Sequence, residues 1–195
     1  MQAPYNALML RTETDIVARC QQGDLDAFKE LYTLHEQQVY RYAYHILGHR
    51  EDADDIKQET FLRAWQSIGR FWREASMQTW LLKICANLCR DRLRSWDRRK
   101  VQYDSTLATT HCQHTLSEDD PATQVERSDT TALILQTLKG LPPTLREAFL
   151  LHEIEGHDYD SMASILGCSR ASAKLRVFRA RQAMRERVHA QLKER

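Results

Sequence analysis

The sequence predicts an all-α protein of two small helical domains joined by a flexible linker, the C-terminal domain being a helix-turn-helix. The 195 residues include only six glycines and four prolines, and this composition favours helix. Apolar residues recur at helical spacing through most of the chain. The periodicity stops between Val101 and about Ala122, a stretch too long for a connection inside one domain. We therefore predict a domain at 10–100, a linker at 101–122 and a second domain at 123–193.

The composition favours a cytoplasmic location. No apolar run approaches the roughly 18 residues that a membrane-spanning helix needs, so no membrane insertion is expected. The stretch MQAPYNALMLRTETD has no charged start followed by an apolar core, so no secretion signal is expected either. Five cysteines are an odd number, which argues against a disulfide framework.

Charge is distributed unevenly, although the formal net charge is only +1. Residues 81–100 carry seven basic and two acidic side chains, and residues 169–195 carry nine basic and two acidic ones. The stretch 50–59 instead carries five acidic and two basic side chains. Helices as cationic as the first two would repel themselves without an anionic partner, so we expect them to contact nucleic acid.

The first domain is predicted to begin with two helices separated by a glycine. A short helix at 15–22 ends at Gly23, and Asp24 then caps a long helix that Gly48 terminates. The apolar residues that recur on one face of the long helix predict its buried side: Phe28, Leu31, Val39, Tyr42 and Ile46.

The next helix, 51–67, carries more ordered polar surface than solubility requires. Its buried stripe is predicted from spacing: Ala53, Ile56, Thr60 and Ala64. Asp55, Glu59 and Arg63 stack on another face, with Glu59 N-terminal to Arg63 in the favourable order for an ion pair. A further strip contains Asp54, Gln58, Phe61 and Trp65. From composition alone, the simplest explanation is a solvated acidic face.

A loop rich in aromatic and cationic residues, 70–78, precedes a helix at 79–100. Trp80, Ile84 and Leu88 predict its inward face. Polar residues fall on or beside the opposite face: Lys83, Asn87, Arg90, Asp91 and Arg94.

The second domain is predicted to open with a helix at 123–138, followed by a helix at 144–155. The inward residues of the latter are Leu145, Ala148, Phe149 and either Leu151 or His152. A helix at 159–166, the glycine Gly167 and a cationic helix from about Ser169 to Val188 complete the domain. Two helices joined by a short glycine-containing turn, the second one cationic, predict a helix-turn-helix.

Three stretches in order resemble bacterial sigma factors of the extracytoplasmic-function group. They are DADDIKQETFLRAW at 52–65, TWLLKICAN at 79–87, and LPPTLREAFLLHEIEGHDYDSMASILGCSRASAKLRVFRARQAMRERV from Leu141 onward. The resemblance covers nearly the whole chain except the linker and both tips. It departs from the family at Ala171-Ser172-Ala173-Lys174-Leu175, where the family has Gly-Thr-Val followed by a basic residue and Ser.

The resemblance implies three binding surfaces. The helix 51–67 would dock on the beta-prime coiled coil of core RNA polymerase through Asp54, Asp55, Gln58, Glu59, Arg63 and Trp65. The first domain would read the −10 promoter element and hold one flipped base through Phe71, Trp72, Met77, Trp80, Lys83, Asn87, Arg90 and Asp91. The recognition helix would read the −35 element through Ser169, Arg170, Ser172, Lys174, Leu175, Arg176, Phe178 and Arg179.

Promoter DNA, core polymerase and an anti-sigma factor are the partners that this resemblance implies. No nucleophile–base–acid set and no glycine-rich phosphate loop is found, so we expect neither enzymatic activity nor a cofactor. One alternative is a stand-alone helix-turn-helix regulator, which would need a dimer interface or a sensor domain. Another is a metal- or redox-dependent regulator or hydrolase built on Cys85, Cys89, His111, Cys112 and His114, although no second cluster completes a recognised tetrahedral set.

Overall fold

The computed structural model describes residues 13–72, 75–104 and 136–193, and within these ranges all regular structure is helical. In the first domain, α1 spans 13–21, α2 Leu25–Leu47, α3 Arg50–Ser67 and α4 Met77–Asp104, with a 3-10 turn at Ile68–Arg70 after α3. In the second domain, α5 is described at 136–139, α6 spans Pro143–Phe149, α7 Tyr159–Leu166 and α8 Arg170–Lys193. The predicted all-α class with two helical domains is confirmed.

The boundaries of α2 follow from three residues that the sequence singled out. Gly23 precedes it with φ 87°, a left-handed conformation that glycine adopts readily. The Asp24 side chain accepts hydrogen bonds from the backbone N–H groups of Asp26 and Ala27. At the other end Gly48 has φ 80°, and its N–H donates to the Tyr44 carbonyl.

Three long helices, α2, α3 and α4, pack against one another to form the core of the first domain. All four residues of the predicted stripe on α3 are buried, and Phe61 joins them. The short α1 is held by Gln21, whose amide donates to the carbonyls of Ile68 and Phe71 at 3.2 and 2.9 Å. This contact fixes the chain immediately after α3, at the start of the aromatic loop.

The fourth helix is longer than the sequence pattern predicted. It begins at Met77, with the Ser76 hydroxyl accepting from the Thr79 N–H at 3.1 Å, and continues to Asp104. No glycine or proline interrupts residues 101–104, so the helix continues into the segment that we predicted to be linker. Residues 105–122 of that segment lie outside the described part of the chain.

The second domain differs from the predicted pattern at the end of α6. The helix widens into a π-helical turn at Leu150–Ile154, which adds one residue to the turn and shifts the phase of the side chains. Leu150 and Leu151 are both fully buried, whereas Leu145 and Phe149, which precede the turn, are only half-buried. Glu147 is also buried, with 2% of its surface exposed, which the apolar pattern did not indicate.

The helix-turn-helix forms at the predicted positions. Asp158 caps α7 by accepting from the Ser161 N–H at 2.7 Å, and Gly167 ends it with φ 61°. The Ser169 hydroxyl then accepts from the Ser172 N–H at 3.2 Å at the start of α8. Ala173, Val177, Ala180 and Met184 bury one face of α8 against the rest of the domain.

The two domains contact each other through α4 and α7 and through α2 and α6. The Arg146 guanidinium of the second domain donates to the Ile46 carbonyl at the end of α2 at 2.9 Å. Arg90 of the first domain donates to the carbonyls of Leu166 and Ile165 at 3.0 and 3.2 Å. Gln38 donates to Glu155 at 2.7 Å. The molecule is therefore closed, with α7 lying across α4.

No helix in the described ranges is long and apolar enough to cross a membrane.

Candidate functional sites

The polar residues predicted on α3 lie on its solvent side. Arg63 pairs with Glu59 at 2.7 Å, and Asp54 accepts from Gln58 at 2.9 Å and from Lys57 at 2.6 Å. The hydrogen bond from Lys57 is the main cause that lowers the pKa of Asp54. These contacts hold the side chains in a row along the exposed side of one helix.

Two members of the predicted α3 set are also engaged within the first domain. Asp55 lies 3.6 Å from Arg92 of α4, and Asp52 pairs with the same guanidinium. Trp65 is half-buried against Phe28, with ring centroids 4.9 Å apart. Asp55 and Trp65 therefore stabilise the packing of α3 against α4 and α2. Each also presents polar or aromatic atoms on the α3 surface.

A groove of about 780 Å³ between α2 and α3 extends this surface beyond the predicted residues. Its walls include residues of α2 that sequence reasoning missed: Thr33, Glu36, Gln37 and Tyr40. Leu62 of α3, 52% exposed, was also missed. The exposure of Leu62 could have been predicted from the sequence, because Leu62 lies off the buried stripe of α3. Nothing in the sequence pattern of α2 indicated a groove.

The four apolar residues predicted to hold a flipped base have different surroundings. Phe71 and Met77 are buried in the core, with 8% and 3% of their surfaces exposed. Trp72 is 83% exposed, and Trp80 is half-buried with its ring 5.1 Å from that of Phe71. Trp72 is thus exposed to solvent, whereas Trp80 packs beside the buried ring of Phe71.

Lys83, Asn87 and Asp91 form an exposed row along α4. Arg90 lies beside the row, and its guanidinium donates to the Asn87 side-chain oxygen at 2.7 Å. The same guanidinium makes the contacts with Leu166 and Ile165 described above. The structure therefore brings the predicted polar residues of α4 together but leaves Arg90 occupied by the second domain.

A cleft of about 440 Å³ separates the aromatic loop and α4 from the start of α7. On one side it is lined by Arg70, Trp72, Trp80 and Lys83. On the other side it is lined by Asp158, Asp160, Ser161 and Ser164. Cationic and aromatic groups of the first domain thus face carboxylates and hydroxyls of the second.

The predicted recognition residues lie on the first half of α8 or immediately before it. Within the described residues, Lys174 and Arg179 are exposed and make no ion pair, whereas Arg170 lies 3.2 Å from Asp160. Leu175 and Phe178 are 47% and 64% exposed. Ser172 and Arg176 are half-buried. Arg181, also exposed, pairs with Glu153 of the π-helical turn at 2.7 Å.

The cysteines in the described part of the chain are free thiols. Cys20, Cys85 and Cys89 are buried, and Cys168 is half-exposed. The hydrogen bond to Cys85 and burial raise the pKa of Cys89 well above its usual value. No cluster of three metal-binding side chains occurs in the ranges that the structure describes. His111, Cys112 and His114, which the metal-site alternative needs, lie outside those ranges.

Two known protein families match separate parts of the chain. The Sigma-70 region 2 family matches residues 31–99, and the Sigma-70, region 4 family matches residues 131–184. The RNA polymerase sigma-H factor of Pseudomonas aeruginosa is 30% identical to this chain, covering 95% of it and 100% of the relative. The ECF RNA polymerase sigma-E factor of Haemophilus influenzae is 29% identical, covering 91% and 95% respectively.

Solved structures are similar in fold. The sigma factor RpoE in complex with the anti-sigma factor NepR from Bartonella quintana matches with a TM-score of 0.69 and 25% identity, over 83% of this chain and 96% of that one. CnrH in complex with the cytosolic domain of CnrY matches with a TM-score of 0.66 and 24% identity, over 92% and 98%. The chain belongs to the sigma-70 family, in its extracytoplasmic-function group. It is an RNA polymerase sigma factor that directs promoter-specific transcription.

Proposed function

We propose that three surfaces divide the work of initiation: α3 binds core polymerase, the aromatic loop with α4 binds the opened −10 strand, and α8 reads the −35 element. The observation that carries the proposal is the separation of charge. The ordered row containing Asp54, Gln58, Glu59 and Arg63 is on one helix. The exposed cations Lys174 and Arg179, which make no ion pair with any described residue, are on another helix in another domain.

The α3 surface suits a polar partner helix. Glu59 and Arg63 are fixed by their ion pair, so little side-chain entropy is lost when a partner binds. Leu62 lies between them in sequence, four residues after Gln58, and adds an exposed apolar contact beside the polar row. We propose that this combination docks on the beta-prime coiled coil, with the groove between α2 and α3 forming the edge of the interface.

The first domain is proposed to hold single-stranded DNA. The exposed ring of Trp72 can replace the stacking that a flipped base loses, a contribution of roughly 1–3 kcal/mol. Lys83 and Arg70 can neutralise phosphates beside it, and Asn87 can hydrogen-bond a base edge. Phe71 and Met77 are proposed to act through Trp80 by fixing the loop, since both are buried.

The recognition helix is proposed to enter the major groove with its N-terminal half. Lys174 and Arg179 are available for phosphates or base edges, and Leu175 and Phe178 for thymine methyl groups. The half-buried Arg176 would contribute less directly. We assign no catalytic step to this chain; the polymerase supplies the chemistry.

An anti-sigma factor is proposed as a further partner. The support is the similarity to RpoE, which was solved in complex with the anti-sigma factor NepR.

The test of the core-binding surface is a charge reversal on α3. Glu59→Lys should lower affinity for purified core polymerase by at least roughly tenfold, because it breaks the pair with Arg63 and opposes a cationic partner. Asp97→Lys, an equal reversal at an exposed position of α4, should leave core affinity unchanged. Fluorescence anisotropy with labelled protein measures both, and circular dichroism checks helicity. Equal affinities for Glu59→Lys and wild type would reject α3 as the docking helix.

A further inference from the structure

The contact between the two domains covers groups that the proposed function needs exposed. Arg90 lies beside the row formed by Lys83, Asn87 and Asp91. Its two terminal guanidinium nitrogens donate hydrogen bonds to carbonyls of α7 and to the side-chain oxygen of Asn87. The carboxylates Asp158 and Asp160 line the cleft opposite Arg70 and Lys83, where a DNA strand would pass. In this closed arrangement, α7 presents acidic and carbonyl groups where DNA would present its own phosphates and base edges.

Beside the Arg146 contact with α2 is a buried carboxyl group that makes no ion pair within the described residues. Glu147 of α6 has 2% of its surface exposed, and its Oε1 has no hydrogen-bond partner among those residues. The Tyr42 hydroxyl of α2 is also buried without a described partner. Tyr42 and Glu147 belong to different domains, and the charge of Glu147 contributes, after burial, to raising the pKa of Tyr42.

The charged and titratable groups that face Glu147 come from three elements. Tyr42 faces it from α2, Cys89 and Arg90 from α4, and Arg176 from α8. Burial raises the pKa of Glu147 to about 7, and the attraction of Arg90 and Arg176 opposes this rise without cancelling it. An ionised carboxylate in this position would be desolvated and incompletely hydrogen-bonded, which disfavours the closed arrangement.

We propose that the molecule is a self-occluded sigma factor whose closure is coupled to protonation of Glu147. With Glu147 neutral, the domains close and α7 covers the −10 surface. With Glu147 ionised, the domains separate and expose that surface. The consequence for DNA rests on the proposed function, whereas the closure itself does not.

The direction of the pH effect follows from the two states of the carboxyl group. In an open molecule Glu147 is solvated and has an ordinary pKa of about 4.3. The closed state therefore binds more protons, and it is most favoured below that value. As pH rises towards about 7 the closed state loses stability, and the opening equilibrium constant increases by up to about tenfold per pH unit. Above the higher pKa the effect levels off.

The test is small-angle X-ray scattering of the full-length protein between pH 5 and pH 8, at constant ionic strength. The wild type should expand as pH rises, and Glu147→Gln, which keeps the shape but cannot ionise, should stay compact. Glu186→Gln removes the same charge at an exposed position of α8 and should behave like the wild type. Glu147→Asp retains a carboxyl group and should retain a pH-dependent expansion.

Each outcome decides the proposal. Burial lowers the pKa of His157, so this group would make the closed state more stable as pH rises, opposite to the effect of Glu147. His157 is present in every variant. The difference between wild type and Glu147→Gln therefore measures the effect of Glu147 alone. A radius of gyration that is independent of pH in the wild type overturns the proposal, and so does an equal expansion of Glu147→Gln. Neither result affects core binding by Glu59→Lys, so failure of this inference is distinguishable from failure of the proposed function.

Discussion

Single side chains set the ends of the helices that carry the proposed sites, and Asp158 is a clear example. Its Oδ1 accepts from the Ser161 N–H at 2.7 Å, and this hydrogen bond lowers the pKa of Asp158. Asp158→Ala should lower the free energy of unfolding by about 1 kcal/mol at neutral pH, because the first turn of α7 loses its cap. Denaturant titration measures the change.

The matched control is Asp160→Ala, which removes an exposed ion pair with Arg170 but no helix cap and should have a smaller effect. The difference between the two variants should depend on pH. Since the folded-state pKa of Asp158 is lowered, its contribution is present above the unfolded-state pKa and is lost as pH falls through the folded-state pKa. A difference that persists undiminished in strong acid would contradict the cap.

Thiol reactivity gives a second test at this scale. Cys168 is half-exposed, whereas Cys89 is buried and its pKa is raised by the contact with Cys85 and by burial. We expect alkylation of the native protein at pH 7.5 to modify Cys168 at least roughly ten times faster than Cys89, because the thiolate is the reactive form. Mass spectrometry of proteolytic peptides measures the rates, and urea should make them similar. Faster reaction of Cys89 would mean that the packing around α4 is wrong.

At the scale of elements, the cations of α8 are of two kinds. Lys174 and Arg179 are exposed without an ion pair among the described residues, whereas Arg170 and Arg181 pair with carboxylates of the same domain. Lys174→Ala and Arg179→Ala should each weaken holoenzyme binding to a −35-containing promoter. A base-edge contact should cost about 1–3 kcal/mol and relax one sequence position, and a phosphate contact should lower the salt slope by about one. Arg185→Ala, an exposed cation farther along α8, is the matched control. Identical binding of Lys174→Ala, Arg179→Ala and the control would exclude this half of α8 as the reading surface.

The loop before α4 makes a separate prediction about strand opening. Trp72→Ala should slow initiation on a duplex promoter, because one base loses its stacking partner. A template with a mismatched −10 region should restore part of the rate, since the melting step is then bypassed. In vitro transcription on both templates measures this. Equal rates for Trp72→Ala and wild type on the duplex would show that the exposed ring is not used.

Asn87 should affect sequence choice more than opening. Asn87→Ala should relax preference within the −10 strand on either template, because it removes a hydrogen-bonding group from the exposed row of α4. Asp97→Ala, an exposed change nearer the end of α4, serves as the control. Transcription from a library of −10 variants measures the preference, and an unchanged profile would remove Asn87 from the reading surface.

At the scale of the whole molecule, the linker and the closed arrangement make a joint prediction. We expect limited proteolysis to cut first within 105–122 and to give two folded helical fragments. Because α4 and α7 remain packed when Glu147 is neutral, the fragments should co-elute in gel filtration at pH 5.5 and separate more readily at pH 8. Cleavage inside α4 or α8 before the linker would contradict the domain division.

Much of the local structure followed from the sequence. Asp24, Gly48 and Gly167 act within a few residues of themselves, so their caps and turns could be predicted without a partner segment. The buried stripe of α3 and the bounds of α7 were predicted for the same reason: helical periodicity is a local property. The polar row on α3 and the cations of α8 also follow from spacing along one helix.

Only the tertiary structure decided how those faces are used. The sequence could not separate Trp72, which is exposed, from Phe71 and Met77, which are buried, because that depends on where the loop packs. Glu147 is buried although its residue type favours solvent, because it faces groups of both domains, from α2 and α4 of the first and α8 of the second. Likewise, Arg90 reaches α7 only through contacts between residues 75 or more positions apart. Periodicity indicates which side of a helix is apolar. Burial at a domain contact instead depends on the packing of two surfaces that are far apart in the sequence.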